Sequence, residues 1–208
     1  MAGTTRSLNR SVVAFDAHDW TTPALAVVDT NVIVEALLED EPEHFECARL
    51  VQRLDAERTT LVFSRMLEME LWETVFNIGL RMQHTRKRLR HVRYYAEARN
   101  QAIELLDGAL RGWEEILESV PSMCIELDEV AGMVPDLMRN YGFQSYDAVH
   151  VATLLVSGAS DLITRDNGFA ALLPEDARIH TTQARLATTR DRRRRALARR
   201  ASGLEAPV

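Results

Sequence analysis

Four carboxylates stand in short segments whose neighbours are mostly apolar. They are Asp29 in Val27-Val28-Asp29-Thr30-Asn31, Glu70 in Met66-Leu67-Glu68-Met69-Glu70-Leu71, Asp147 in Tyr146-Asp147-Ala148-Val149-His150, and Asp166 in Leu162-Ile163-Thr164-Arg165-Asp166. Two of these acids follow apolar runs that read as buried strands, which puts them just past strand C-terminal ends. In an open parallel sheet that edge is where ligands bind. Carboxylates converging there, with no matching His or Cys cluster, suit a hard divalent cation held by oxygen, magnesium first and manganese as its substitute. Such an ion suits phosphodiester hydrolysis, because it lowers the pKa of water and neutralises charge that builds on the phosphate. Unpaired, the clustered acids would repel one another and their pKa values would rise.

Each acid also has a plainer role open to it. Asp29 stands where it could cap the next helix. Asp147 falls in a first helical turn, where the macrodipole favours an anion. Asp166 precedes Asn167-Gly168, a turn dipeptide. Glu70 shares its helix with Glu68 and Glu73, which read as solvent residues, while Glu70 lies near the border of the face carrying Met66, Met69 and Val75. His150 reads as an ordinary packed or exposed helix residue.

The elements that must position these acids alternate. Strands are expected at 24–28, 60–63, 123–127, 162–164 and 177–181, with helices between them, and Gly158 fits the end of the helix that starts near Tyr146. This order predicts an α/β fold, a three-layer α/β/α sandwich on a mostly parallel five-stranded sheet. Residues 1–22 read as an irregular N-terminal extension, 23–181 as the main domain, and 182–208 as an Arg-rich tail, helical in part or disordered. A helical insertion is expected over about 82–120. There Leu89, Val92, Ala96, Ile103, Leu106, Leu110, Trp113 and Leu117 follow a 3-4 spacing broken by Arg99, a seam for packing on another helix within the subunit or across a dimer. Gly108 and Gly112 weaken its second half.

Composition is that of an ordinary globular chain, 46% hydrophobic and 27% charged over 208 residues. No apolar run approaches the roughly 20 residues of a membrane span, and the first 20 residues do not resemble a secretory signal. Cys47 and Cys124 sit in apolar segments and fit a reducing cytoplasm; no Cys/His set has zinc-site spacing. The net charge of −6 hides an asymmetry, since residues 181–208 hold eight Arg against two acids. A second basic block runs from Arg81 to Arg99 and includes Arg86, Arg90 and Arg93, with Tyr94 and Tyr95 interleaved. Such a patch could hold an RNA backbone and stack a base, or it could be a solvated helix face.

Taken in order, the segments Val-Val-Asp-Thr-Asn-Val-Ile-Val, Phe-Ser with Glu-Leu at Glu70-Leu71, Tyr-Asp-Ala-Val-His-Val-Ala-Thr and Leu-Ile-Thr-Arg-Asp-Asn-Gly-Phe resemble the PIN domain, in particular the VapC-type toxin ribonucleases. The likeness covers about 24–81 and 121–181. It implies an acidic pocket of Asp29, Glu70, Asp147 and Asp166, with Asp29 and Asp147 as direct magnesium ligands and Thr30, Asn31 and Thr164 in support. It also implies a metal-dependent endoribonuclease leaving 5′-phosphate and 3′-hydroxyl ends, with an antitoxin protein as partner. A homo-oligomer, a dimer, is the expected assembly. The N-terminal extension, insertion and Arg-rich tail depart from compact family members. The alternatives are a catalytically idle RNA- or protein-binding module and a structure-specific DNA nuclease.

Overall fold

The computed structural model describes residues 11–82, 89–172 and 177–202. Six strands form one sheet: β1 (Val12–Ala14), β2 (Leu25–Val28), β3 (Thr60–Ser64), β4 (Ser122–Ile125), β5 (Asp161–Ile163) and β6 (Arg178–Thr181). Their order is β1-β6-β5-β2-β3-β4 and every pairing is parallel. The helices are α1 (Thr30–Leu37), α2 (His44–Ala56), α3 (Arg65–Arg81), α4 (Leu89–Val92), α5 (Ala96–Ser119), α6 (Leu127–Ala131), α7 (Val134–Tyr141), α8 (Ser145–Ser157), α9 (Phe169–Leu172) and α10 (Gln183–Ala201).

The central strand shows why the sheet is covered on both sides. Ala26 and Val28 join a core with residues of α1, α2, α3 and α5. Val27 points the other way, into a core built with α6, α7, α8 and α10. A strand apolar on both faces belongs inside a parallel sheet. The chain leaves β2 toward β3 and β4, then crosses back to β5 and β6, so strand order reverses between β2 and β5. Asp29 and Thr164 follow these two strands. Asp29 N donates to Ile163 O at 2.9 Å and Thr164 N to His180 O at 2.9 Å, which holds both strand ends in register. Gly158 closes α8 with φ of 70°, as its position predicted.

The α/β/α sandwich is as expected, with a sixth strand added. Residues 12–14 are not irregular extension: they pair with β6, and Trp20 follows them into the core at 7% exposure. Trp20 Nε1 donates to His180 Nδ1 at 2.9 Å. Three residues are too few for a period-2 pattern to show. The Arg-rich segment also belongs to the fold. α10 packs on β1 and α9 and buries Leu186, Thr189, Arg193 and Ala196.

The insertion packs within the subunit, α5 lying along α3. Its buried stripe is Ala98, Ala102, Ala109, Trp113 and Ile116, whereas Ile103 is 47% exposed. The expected seam is met in part, since Val92 and Trp113 are buried and Leu89, Leu106, Leu110 and Leu117 half-buried, but the closest approach of the two helices is through small residues. Gly79 lies against Ala102, and Gly112 against Leu37 of α1. α5 runs through both of its glycines unbroken. No helix among the described residues is long and apolar enough to cross a membrane.

The close contact can be tested. A Cβ at Gly79 would sit 2.6 Å from Ala102 Cα, which is backbone, whereas one at Gly108 meets nothing within 4 Å. Gly79→Ala is expected to cost about 1–3 kcal/mol through overpacking. Gly108→Ala should gain about 0.5–1 kcal/mol of helix stability. Urea unfolding of the two variants measures both.

Candidate active site

Asp29 leaves β2 in extended conformation (φ −80°, ψ 146°) at the N-cap of α1, yet its side chain makes no capping bond. Its Oδ2 instead accepts from Thr164 Oγ1 at 2.6 Å and Asn31 Nδ2 at 2.5 Å. Asn31 Oδ1 in turn accepts from Arg165 N at 3.0 Å, which ties the loop after β5 to the start of α1. Thr30 Oγ1 donates to Glu70 Oε2 at 2.5 Å and brings α3 into the pocket. The three supporting residues expected from sequence therefore each hold a carboxylate or a loop.

His150 completes the cluster, and sequence reasoning missed it. It is buried, and its Nε2 lies 3.3 Å from Glu70 Oε2 and 3.5 Å from Asp29 Oδ1. Donor atoms of Asp29, Glu70 and His150 fall within 4.8 Å of one another. The available signal was its spacing, three residues after Asp147 and so on the same face of α8. Asp147 and Asp166 stand outside that tight group. Asp147 is half-buried in the first turn of α8, and Asp166 is exposed, with Oδ1 accepting from Gly168 N at 2.7 Å in the turn anticipated for it. Asp161 lies at the N-terminal end of β5, away from the site, where it meets His180 and Arg178.

The electrostatics follow from this crowding. Burial pushes the Asp29 carboxyl above its ordinary value, and the His150 charge and Thr164 hydrogen bond recover only part of that. Burial acts the same way on Glu70, but hydrogen bonds from His150 and Thr30 outweigh it and hold this group below its ordinary value. For His150 burial alone would lower the pKa; the Glu70 hydrogen bond and the Asp29 charge reverse the sign and raise it. Asp147 is pushed up to about 6 by burial, then by the charges of Asp166 and Asp29.

Behind the pocket lies a second charged group that the sequence did not announce. Glu35, 2% exposed, pairs with Arg165 and accepts from Glu43 N at 2.6 Å. Glu43 binds Arg165 and Arg185, each at 2.8 Å. Glu68, read as a solvent residue, is also buried: Trp113 Nε1 donates to it at 3.2 Å and Arg65 pairs with it at 2.9 Å. Of the three arginines considered for RNA, Arg90 and Arg93 are exposed at and after α4, and Arg86 lies outside the described residues.

The donor set fits a divalent cation. Two carboxylates and an imidazole share one buried corner, where burial has already raised Asp29; an ion there would favour its charged form. A parallel sheet with acids past the ends of β2 and β5, at the reversal of strand order, defines a class of α/β protein with a ligand site in that crevice. The sequence matches the PIN domain family over residues 26–172. The chain belongs to that family. It also resembles the crystal structure of VapBC2 from Rickettsia felis bound to a DNA fragment from their promoter, at 15% identity, covering 76% of this chain and 98% of that one, with a TM-score of 0.43. A comparison with curated proteins gives no match.

The raised Asp147 has a measurable consequence. Between its ordinary value of 3.8 and about 6, the folded protein holds this proton more tightly than the unfolded chain does. The contribution of Asp147 to stability therefore falls as pH rises through that window. Without metal, Asp147→Asn should melt close to wild type near about pH 3.5 and above it at neutral pH. Thermal melts across pH check this; a gap that does not change with pH contradicts it.

Proposed function

We propose that this protein is a metal-dependent endoribonuclease, the toxin of a toxin–antitoxin pair, acting on single-stranded or structured RNA. The observation that carries the reading is the meeting of Asp29 and Glu70 with His150 at the strand-order reversal, Asp29 held by Thr164 and Asn31 and Glu70 by Thr30. Asp29 and Asp147 are the direct ligands of a divalent cation, magnesium or manganese, with Glu70 and Asp166 completing the site. Bound there, the ion supplies a nucleophile at neutral pH and neutralises phosphate charge. Asp147, in the first turn of α8 and within reach of the charges of Asp166 and Asp29, is placed to orient the attacking water and accept its proton as a carboxylate, the form a bound ion would favour.

Substrate contact is assigned to the end of the α3–α5 unit. Arg90 and Arg93 are exposed there, Tyr94 is 78% exposed and Tyr95 is 44% exposed. Arginines beside open aromatic faces suit a single strand, the cations meeting phosphates and the rings stacking bases. An antitoxin and a homodimeric assembly belong to the same reading through the likeness of the motif set to VapC-type toxins. A cytoplasmic location accords with it.

Labelled RNA and DNA pools, incubated with wild type and Asp147→Asn in magnesium, manganese or chelator, test the activity. Wild type should cut RNA only with metal, and the variant should be slower by about 100-fold or more while staying folded. Cutting of DNA alone would point to a DNA nuclease, and no cutting by a metal-binding wild type to an idle binding module. Substituting Arg86, Arg90 and Arg93 together should weaken RNA binding and flatten its salt dependence. Unchanged affinity and salt slope would remove this surface from the substrate path.

A further inference from the structure

Four carboxylates alone would make an all-oxygen centre, and the imidazole among them changes the donor chemistry. Resting on the metal-dependent reading above, we propose that His150 is a direct ligand of the cation through Nε2. The centre is then a mixed nitrogen–oxygen site that favours a first-row transition divalent ion, such as manganese, over magnesium.

The geometry around Nε2 is the first support. Its three polar neighbours are Glu70 Oε2 at 3.3 Å, Asp29 Oδ1 at 3.5 Å and Thr30 Oγ1 at 3.5 Å. The Glu70 contact is a long hydrogen bond, just beyond the usual range of about 2.7–3.2 Å, so Nε2 binds an ion only by giving up its proton. The two carboxylate distances are then close to those of donors sharing one ion, since bonds of about 2.1 Å place neighbouring ligand atoms roughly 3.0–3.5 Å apart, while Thr30 Oγ1 stays bonded to Glu70 Oε2 at 2.5 Å. The division of labour on Asp29 points the same way. Oδ2 accepts both supporting hydrogen bonds, from Asn31 and Thr164, while Oδ1 is the oxygen that faces His150.

The ring is also held in place. His150 is 2% exposed, Ala148, Val149 and Val151 around it are buried, and its imidazole meets Phe169 edge-on with centroids 6.4 Å apart. Its Nε2 is therefore presented to the pocket by a packed helix. Imidazole suits transition ions, whereas magnesium prefers oxygen and keeps several waters. His150 Nδ1 has no hydrogen-bond partner among the described residues. Metal-bound histidines usually give that N–H to an acceptor, and losing it typically weakens affinity 10–100-fold. Without that acceptor, affinity through His150 is expected to be correspondingly modest.

The test uses the full metal-free chain, titrated calorimetrically with manganese and with magnesium as wild type, His150→Gln and Asp29→Asn. Bound manganese is then examined by electron spin-echo envelope modulation, which detects a coordinated imidazole nitrogen. Wild type should bind manganese about tenfold or more tighter than magnesium and show the nitrogen signal. His150→Gln offers an oxygen in place of nitrogen; it should lose the signal, bind manganese about tenfold more weakly and keep magnesium affinity within about threefold. Manganese bound to wild type without the nitrogen signal overturns the ligand role, and this readout stands even if the variant fails to fold. Unchanged manganese affinity in a folded His150→Gln overturns it too. If wild type binds neither ion, or if Asp29→Asn changes nothing, the metal-centre reading itself fails, which is a separate result.

Discussion

The Asp29 carboxylate is taken out of water at the end of a strand buried on both faces, and the groups around it make that tolerable. An unpaired buried charge is costly, and a second carboxylate, Glu70, shares the same corner. Thr164 and Asn31 satisfy one Asp29 oxygen, Thr30 satisfies Glu70, and His150 stands between the two acids. These groups come from four separate segments: the end of β2 and start of α1, α3, the loop after β5, and α8. Packing must bring the segments together before the acids can sit there. The pocket is therefore a consequence of the strand-order reversal, which opens the crevice between β2 and β5.

The loop after β5 shows how charge is kept in its place. Thr164 turns inward to Asp29, Arg165 turns away to Glu35 and Glu43, and Asp166 returns to the rim. Burial pushes Glu35 upward, and the Glu43 backbone hydrogen bond and the Arg165 charge oppose it without cancelling it. For Glu43 the balance tips the other way, because it meets both Arg165 and Arg185. Breaking such a buried group by removing one partner typically costs about 3–5 kcal/mol, although its net worth against an apolar replacement is small. Arg185 lies on α10, so the C-terminal helix reaches the active-site loop through Glu43. The last strand–helix unit is thus part of the support for the pocket and extends beyond the segment that matches the family.

How far the sequence disclosed this depended on how local each signal was. Asp29, Asp147 and Asp166 stood out because an acid after an apolar run, or in a first helical turn, is anomalous against its own neighbours; of the three, Asp29 meets Glu70 and His150 at ligand distance. Glu70, read at the border of its helix face, meets Thr30 and His150. The solvent role given to Glu68 was wrong, since the partner that buries it is Trp113, far along the chain. His150 looked ordinary because its meaning comes from Glu70, Asp29 and Thr30, none of them near it in sequence. The α3–α5 contact was expected through large apolar residues, of which Trp113 is one, but its closest approach is at Gly79 and Ala102, where small residues let helix backbones approach and leave no hydrophobic peak. β1 was invisible at three residues, and α10 was masked by a run of arginines of which only Arg193 is fully buried.

The charge distribution bears on how a polyanion reaches an acidic pocket. The chain is net negative, and a phosphodiester approaching Asp29 and Glu70 meets repulsion until a cation occupies the corner. On the nuclease reading, metal binding precedes productive substrate binding for this electrostatic reason alone. The positive surface assigned to substrate is held apart from the acids. Arg81 ends α3 about 16 Å along the helix axis from Glu70, at 1.5 Å per residue, and α4 packs back on α3 through Val92, in one cluster with Leu80. On the nuclease reading α3 links the two surfaces, with Glu70 in its first half and Arg81 at its end, and its packing along α5 fixes the distance between them because a helix so held cannot tilt.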